Sequence, residues 1–516
     1  MKTYNIIKGI FAATVLSVVF SGCSEDAMDR INKDHGHTQS VAARFILTDV
    51  ITSTAFSNAG GDFNTYLSAY IEYEVGVDNQ LYYAETRESE PTSSSTFNNT
   101  WNGLYSTLKS ARIIINQCSE GGIDHGNYVT KGMAEVLAAY NCALIADMFG
   151  DAPCSQAALI DENGSPVYLT PKMDKQEEIY TQAMQYLDDA IADLQKEDLI
   201  DPEAQDLLYQ GDAEKWLKLA YGLKARYTMH LLKRSANKDA DMEKVLEYVN
   251  NSFESAEEQA AFDVYDANNI NPLYGFFVAR AGLGASESMR SKLAEYNDPR
   301  LSRAFIKQGT SGKEQAPGTA DNAVYAPNGT PEQGTSKYGT SLFMYSISAP
   351  TLLLSYHELK FLEAEALCRL ERDAKSALKD AVVAGLLNAE NSFTISRKEL
   401  GKTLINAASS ITEAEAESYF DNTIEAKYTA EPLKTTMTQK YFALWGASGE
   451  ATESYNDVRR MKGLGENFIE LKNPNSFPLR CPYGNSDTTT NAEVKAAYGN
   501  GQYVYSENVW WAGGSR

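Results

Sequence analysis

The chain has 516 residues, with 46 Lys and Arg against 69 Asp and Glu, a formal net charge of −23 at neutral pH. That balance excludes nucleic-acid binding, which needs a basic surface to displace counterions, and gives an anionic membrane surface nothing to attract. Hydrophobic residues at 43% and charged residues at 22% are ordinary for a globular chain with a real core, so a disordered chain is excluded as well. The length admits two or more domains, or one large intertwined one.

The first segment reads as an export signal. Met1–Lys8 carries two lysines and no acid, Gly9–Phe20 is almost wholly apolar, and Ser21-Gly22 places two small residues before Cys23. Charged, apolar, small is the order that a signal peptidase reads. About a dozen apolar residues fall short of the ~20 that span a bilayer. A cysteine at the cut site makes this a lipoprotein signal over residues 1–22, and acylation of Cys23 anchors everything after it. More than one acyl chain gives a stable hold. Residues 23–34 form a polar, acidic tether. No other apolar stretch is expected to cross a membrane, so residues 35–516 are read as one tethered domain.

Helical periodicity dominates that domain. Met133, Val136, Leu137, Tyr140, Leu144 and Met148 recur at three- and four-residue steps and predict one apolar stripe. Tyr105, Leu108 and Ile113–Ile115 predict a partner helix before it, with Gly121-Gly122 as the turn. Ile179–Leu194, Trp216–Leu232, Tyr356–Leu370 and Ala374–Leu387 repeat the pattern. Consecutive amphipathic helices joined by short turns pack as antiparallel pairs. Their spacing points to tetratricopeptide-like units. The expected fold is mostly α, a helical-pair scaffold. An irregular, loop-rich lobe is expected mainly from residues 60–100 and 262–348, and the tail after Asn473 is expected to be non-helical. Long irregular stretches inside a compact domain are usually functional.

The cysteines after Cys23 are Cys118, Cys142, Cys154, Cys368 and Cys481. Their spacing fits no zinc pattern, which leaves buried free thiols or at most one pair. Thirty-one tyrosines stand against five tryptophans and five histidines. A tyrosine offers a flat apolar face with a hydroxyl at its tip, suited to helix contacts and to carbohydrate or peptide platforms alike.

Trp216-Leu-Lys218-Leu-Ala220-Tyr-Gly-Leu223-Lys224-Ala-Arg226 resembles the W-x-K-x-A-x-x-L-K-x-R helix of the SusD/RagB family. Ala143–Pro153, ending Phe149-Gly150-Asp151-Ala152-Pro153, is similar to that family's F-G-D-x-P helix end. Trp101–Tyr105 with Asn116 is similar to its W-x-x-x-Y helix, and Glu453–Arg460 to E-x-W-x-D-x-R-R, with Tyr455 where tryptophan is usual. Phe477–Tyr483 with Asn491 resembles its P-x-R-x-P-Y segment, with Gly484 in place of a common proline. The matches run in family order across nearly the whole domain. Most of these residues have a scaffold reading: Gly150 and Pro153 end a helix, Trp101 and Trp216 fill gaps, and Arg226, Asp457, Arg459 and Arg460 form ion pairs.

The resemblance implies a nutrient-binding lipoprotein on the outer face of the outer membrane. Its expected partner is a SusC-like TonB-dependent transporter, and its expected ligand is an oligosaccharide, with an oligopeptide as the alternative. A surface glycosidase and a structural adhesin are the competing readings. No cofactor or metal is expected, and no catalytic set is complete. His357-Glu358 lacks the second histidine of a zinc helix, and the loop at Asp161 has Lys172 where a calcium loop needs its last glutamate. Aromatic rings in irregular segments, beside Asn and Arg, are the expected ligand contacts: Tyr82, Tyr83 and Arg87; Tyr274 and Phe276; Tyr325 and Tyr338.

Overall fold

A computed structural model describes residues 41–91, 97–161, 164–308, 315–318, 324–404, 407–499 and 502–516. The signal segment, Cys23 and the tether lie outside the described residues. From residue 43 onward the chain forms one unit.

Four helices open it: α1 (Ala43–Thr52), α2 (Asp62–Tyr70), α3 (Asn79–Thr86) and α4 (Asn98–Cys118). Then follow α5 (Tyr128–Phe149), α6 (Gln176–Asp193), α7 (Ala213–His230) and α8 (Lys238–Asn250). Side-chain contacts fix the direction of each pairing. Trp101 of α4 meets Phe149 at the far end of α5, with ring centroids 4.8 Å apart. Lys131 at the start of α5 binds Asp193 at the end of α6 at 2.6 Å. Tyr180 and Asp188 of α6 meet His230 and Lys224 of α7, and Lys218 and Lys224 of α7 meet Ser252 and Tyr248 at the end of α8. Each neighbour therefore runs antiparallel to the last, the tetratricopeptide-like arrangement expected from the periodicity.

Helix α5 differs from its expected form. It is not striped: every residue but Tyr128 and Lys131 is buried. It is long and apolar enough to cross a membrane by length and composition, contrary to the reading that no second stretch is, and it lies wholly within the fold. A helix that is apolar all round belongs in the centre of a protein or in a bilayer. Here α4, α6 and α7 all pack on it.

The chain continues through α9 (Pro272–Arg280), α10 (Glu287–Glu295), α11 (Tyr356–Arg369) and α12 (Lys375–Leu400). It ends through α13 (Glu413–Tyr419), α14 (Glu425–Ala430), α15 (Pro432–Ala443), α16 (Ala451–Leu464), α17 (Asn485–Thr490) and α18 (Ala492–Tyr498). The strands are short. β1 (Glu74–Gly76) pairs antiparallel with β3 (Leu283–Ala285), and β2 (Ala260–Phe262) pairs with β7 (Thr351–Leu354). β4 (Phe305–Gln308) lies between β5 (Gln315–Gly318) and β6 (Thr340–Ser341).

Two expectations are corrected here. Residues 60–100 and 262–348 hold helices as well as loops, and the tail after Asn473 carries α17 and α18. α2 is buried on almost every face, and α17 is built from Asn, Ser, Asp and Thr, so neither shows an apolar stripe.

The motif residues lock these elements together. The Arg480 guanidinium donates to the Phe149 carbonyl, and Cys481 N–H donates to the Met148 carbonyl at 2.7 Å, satisfying the last carbonyls of α5. Gly150, at φ 74°, ends that helix. Trp101 is fully buried between Phe149 and Tyr483, and its indole N–H donates to Asp487. A Cβ at residue 484 would lie 2.4 Å from the Trp101 ring, which accounts for glycine there. Arg226 donates twice to Glu358, at 2.8 and 2.5 Å. Arg460 bridges Glu365 and Asp457, and Lys440 completes the set on Asp457. Arg459 departs from the expected ion pair: it stacks over Tyr455 and Trp511, 4.1 and 5.0 Å from their ring centres, and donates to Asn456.

Candidate functional site

A cleft of about 520 Å³ opens where the turn before α2, the start of α4 and the start of α9 meet. Local sequence builds each wall. Ser53–Ala59 forms a wide π-turn that extends α1 and leaves Phe56 40% exposed. Such turns often mark functional positions. Gly60-Gly61 then reverses the chain into α2; a Cβ at residue 61 would sit 2.3 Å from the Ser57 carbonyl oxygen, so only glycine fits. Asp62 becomes the first residue of α2 and faces the cleft. Across it, Asn271 caps α9: its side chain accepts from the N–H groups of Leu273 and Tyr274 and donates to the carbonyls of Ala349 and Ala447. All of its capacity is used in the fold. Its role is to aim α9, which carries Phe276 into the cleft.

Two aromatic rings, Phe56 and Phe276, therefore share one hollow with Asp62, Asn99 and Thr65. Burial raises the Asp62 carboxyl above its ordinary value, and the Arg280 cation offsets part of that rise. Arg280 also lies over the Phe276 ring at 5.3 Å and donates to Gln80 at 3.3 Å. Phe276 and Arg280 go on to line a smaller hollow with Tyr66, Asn79 and Gln80 at the start of α3. Asn79, which lines the smaller hollow, has φ 52°. Left-handed backbone in a non-glycine residue costs about 1–3 kcal/mol and gathers at ligand clamps. Chemically the arrangement offers flat apolar faces beside short polar groups, which suits binding.

The sequence-predicted residues divide. Phe276 lines the cleft itself. Tyr82 and Tyr83, T-shaped at 5.8 Å with Tyr83 63% exposed, sit on α3 just past its Asn79–Gln80 rim. Arg87 is buried and donates to the Tyr70 carbonyl at 3.1 Å, so its cation serves the fold. Tyr274 leaves the cleft and donates to Glu399 of α12 at 2.9 Å. Tyr325 packs edge-on against Phe305 under Arg290. Tyr338 accepts from the Glu332 N–H at 2.8 Å, on the small cluster around Val75 and Val77. The structure does not bring these last three to the cleft. Sequence reasoning missed Phe56, Asp62, Asn99 and Arg280. The Gly60-Gly61 pair just after Phe56 was the available signal, since adjacent glycines mark a tight reversal.

A second cluster of functional residue types is buried in the scaffold. Ligand atoms of Asp147, His230 and Glu453 lie within 4.8 Å of one another. His230 Nε2 is 2.9 Å from Glu453, while Nδ1 is 2.9 Å from the Tyr180 hydroxyl and 3.4 Å from Asp147. One metal ion can use only one ring nitrogen, and here both nitrogens are engaged by acids on different sides. Burial opposes charge on this ring, but the two carboxylates outweigh it and raise His230 to about 9. Burial likewise opposes the Glu453 charge, and Arg226 and His230 bring it down to about 2. The charged ring thereby joins the two carboxylates.

The described residues thus form a mostly α, helical-pair scaffold that holds an aromatic-lined cleft. The chain belongs to the SusD-like family described as starch-binding and associating with the outer membrane, whose model matches residues 36–483. It is similar to a SusD/RagB family protein from Bacteroides thetaiotaomicron, with 69% identity and a TM-score of 0.89 over 92% of this chain and 100% of that one. At the level of fold it is similar to a chitin-binding protein, with 20% identity and a TM-score of 0.70 over 91% and 99% of the two chains. A SusD homologue from Bacteroides fragilis has 19% identity and a TM-score of 0.67 over 92% and 100%. No curated protein matches the chain.

Proposed function

We propose that this protein is a lipid-anchored, surface-exposed binding protein that captures an oligosaccharide and delivers it to a SusC-like TonB-dependent transporter. The cleft carries the reading: Phe56 and Phe276 offer faces for sugar C–H groups, and Asp62 and Asn99 offer partners for hydroxyls. Membership in a family described as starch-binding supports the ligand class, and its association with the outer membrane supports the location. Cys23, followed by Glu25 and Asp26, supplies the anchor. The protein acts by binding rather than turnover.

Glycan and peptide arrays followed by calorimetry test the ligand. The expected result is an oligosaccharide hit whose affinity falls about fivefold or more in Phe276→Ala, since losing a stacked, desolvated ring costs on the order of 1–3 kcal/mol. Binding only to peptides would overturn the carbohydrate assignment. Mild solubilisation and pull-down test the partner: a co-purifying barrel is expected, and repeated recovery of the protein alone contradicts the transporter role.

A further inference from the structure

We infer that Cys142 and Cys154 form a disulfide in the exported protein, a cross-link that ties the middle of α5 to the segment after its end. Their sulfurs are 3.3 Å apart, inside van der Waals contact, and both residues are fully buried. The other described cysteines have different neighbours: Cys481 meets Met148 at 4.0 Å, Cys368 meets the Thr436 hydroxyl at 3.6 Å, and Cys118 lies at the end of α4. Chain separation is short, twelve residues, so the two thiols meet as soon as Gly150 and Pro153 turn the chain back.

The surroundings hold both partners in place and favour the thiolate of Cys142, while contact with Cys142 and burial raise the Cys154 thiol, which makes Cys142 the first to react. The Cys154 N–H donates to Asp174 at 2.8 Å, and its carbonyl accepts from Arg112 at 3.0 Å. Arg112 is a buried cation beside both sulfurs. A nearby guanidinium stabilises a thiolate, which is the species that exchanges. The Cys142 thiol is lowered by its contact with Cys154, and less so by Arg112, against the opposing effect of burial.

The oxidant is a protein disulfide of the cell envelope, so the inference rests on the export reading. The Cys142 thiolate attacks that disulfide, forming a mixed disulfide and releasing one thiolate of the oxidant. The Cys154 thiolate then attacks the Cys142 sulfur and expels the second. Two thiols lose two protons and two electrons, and the oxidant's disulfide becomes a dithiol. Because both sulfurs are closed off in the folded chain, exchange takes place while α5 is still being enclosed.

The test uses wild-type protein isolated from its own envelope without reductant, alkylated in denaturant and mapped by mass spectrometry. The expected result is one linked pair of peptides containing Cys142 and Cys154, with alkyl groups on Cys118, Cys368 and Cys481. Alkylation of all five overturns the proposal. Protease accessibility on intact cells reports export separately. Should the protein prove not to be exported, reduced chain refolded with oxidised glutathione decides: selective 142–154 pairing supports the geometry, and any other pairing, or none, overturns it. Reductant should lower the melting temperature of the oxidised wild type and leave Cys142→Ala unchanged.

Discussion

At the scale of single residues, His230 shows what the buried charges do. Its pKa is raised from about 6.5 unfolded to about 9 folded. A raised base contributes stability in full below pH 6.5 and loses it as pH climbs through 9. The shift corresponds to on the order of 3 kcal/mol, most of which should disappear between pH 7 and pH 10. Melting temperatures across that range should fall in wild type and fall less steeply in His230→Gln, after an initial loss; buried Glu74, raised to about 8, keeps some of the slope. Equal pH dependence in both would show that the Asp147–His230–Glu453 set is not the cause. The Arg460 guanidinium, fully buried against Glu365 and Asp457, should also be costly to remove. Arg460→Met leaves buried Glu365 with Arg369 alone and Asp457 with Lys440 alone, and a loss of about 3 kcal/mol in denaturant unfolding is expected.

At the scale of elements, close approach matters more than polarity. Helix α7 passes β7 and Ser252 at Gly222, where a Cβ would lie 2.3 Å from a Leu354 methyl and 2.7 Å from the serine hydroxyl. Gly222→Val should therefore cost about 1–3 kcal/mol through overpacking, read as a lower urea midpoint with unchanged slope. This element scale is also where the sequence was most legible. The long helices were found to within a few residues, because amphipathic faces repeat over many turns: Ile179–Leu194 against Gln176–Asp193, and Trp216–Leu232 against Ala213–His230. α12 runs to Leu400, past the predicted Leu387, since its later turns carry polar residues in a half-buried setting. α2, α3, α17 and α18 escaped because six to nine residues give too few turns to show a period.

At the scale of the whole molecule, scaffold and site were legible to different degrees. The scaffold motifs are long-range locks, each made of distinctive residues such as Trp101, Arg226 and Arg480, and they identify the family. The cleft is assembled from segments about 200 residues apart, Phe56–Asp62 and Asn271–Phe276, and no local pattern joins them. Exposure could not be read either: Tyr83 and Arg87, four residues apart, end on the surface and in the core. The same separation of roles yields a further prediction. Phe56 and Phe276 are only partly buried, against Tyr265 and Arg280 respectively, so Phe56→Ala and Phe276→Ala should weaken ligand capture severalfold or more while moving the melting temperature by no more than a few degrees.

The most direct measurement of the central claim is a structure of the protein bound to the oligosaccharide that the arrays select. The account predicts sugar rings against Phe56 and Phe276, with hydroxyls within hydrogen-bond reach of Asp62 or Asn99. Ligand seated elsewhere, with this cleft empty, would contradict it.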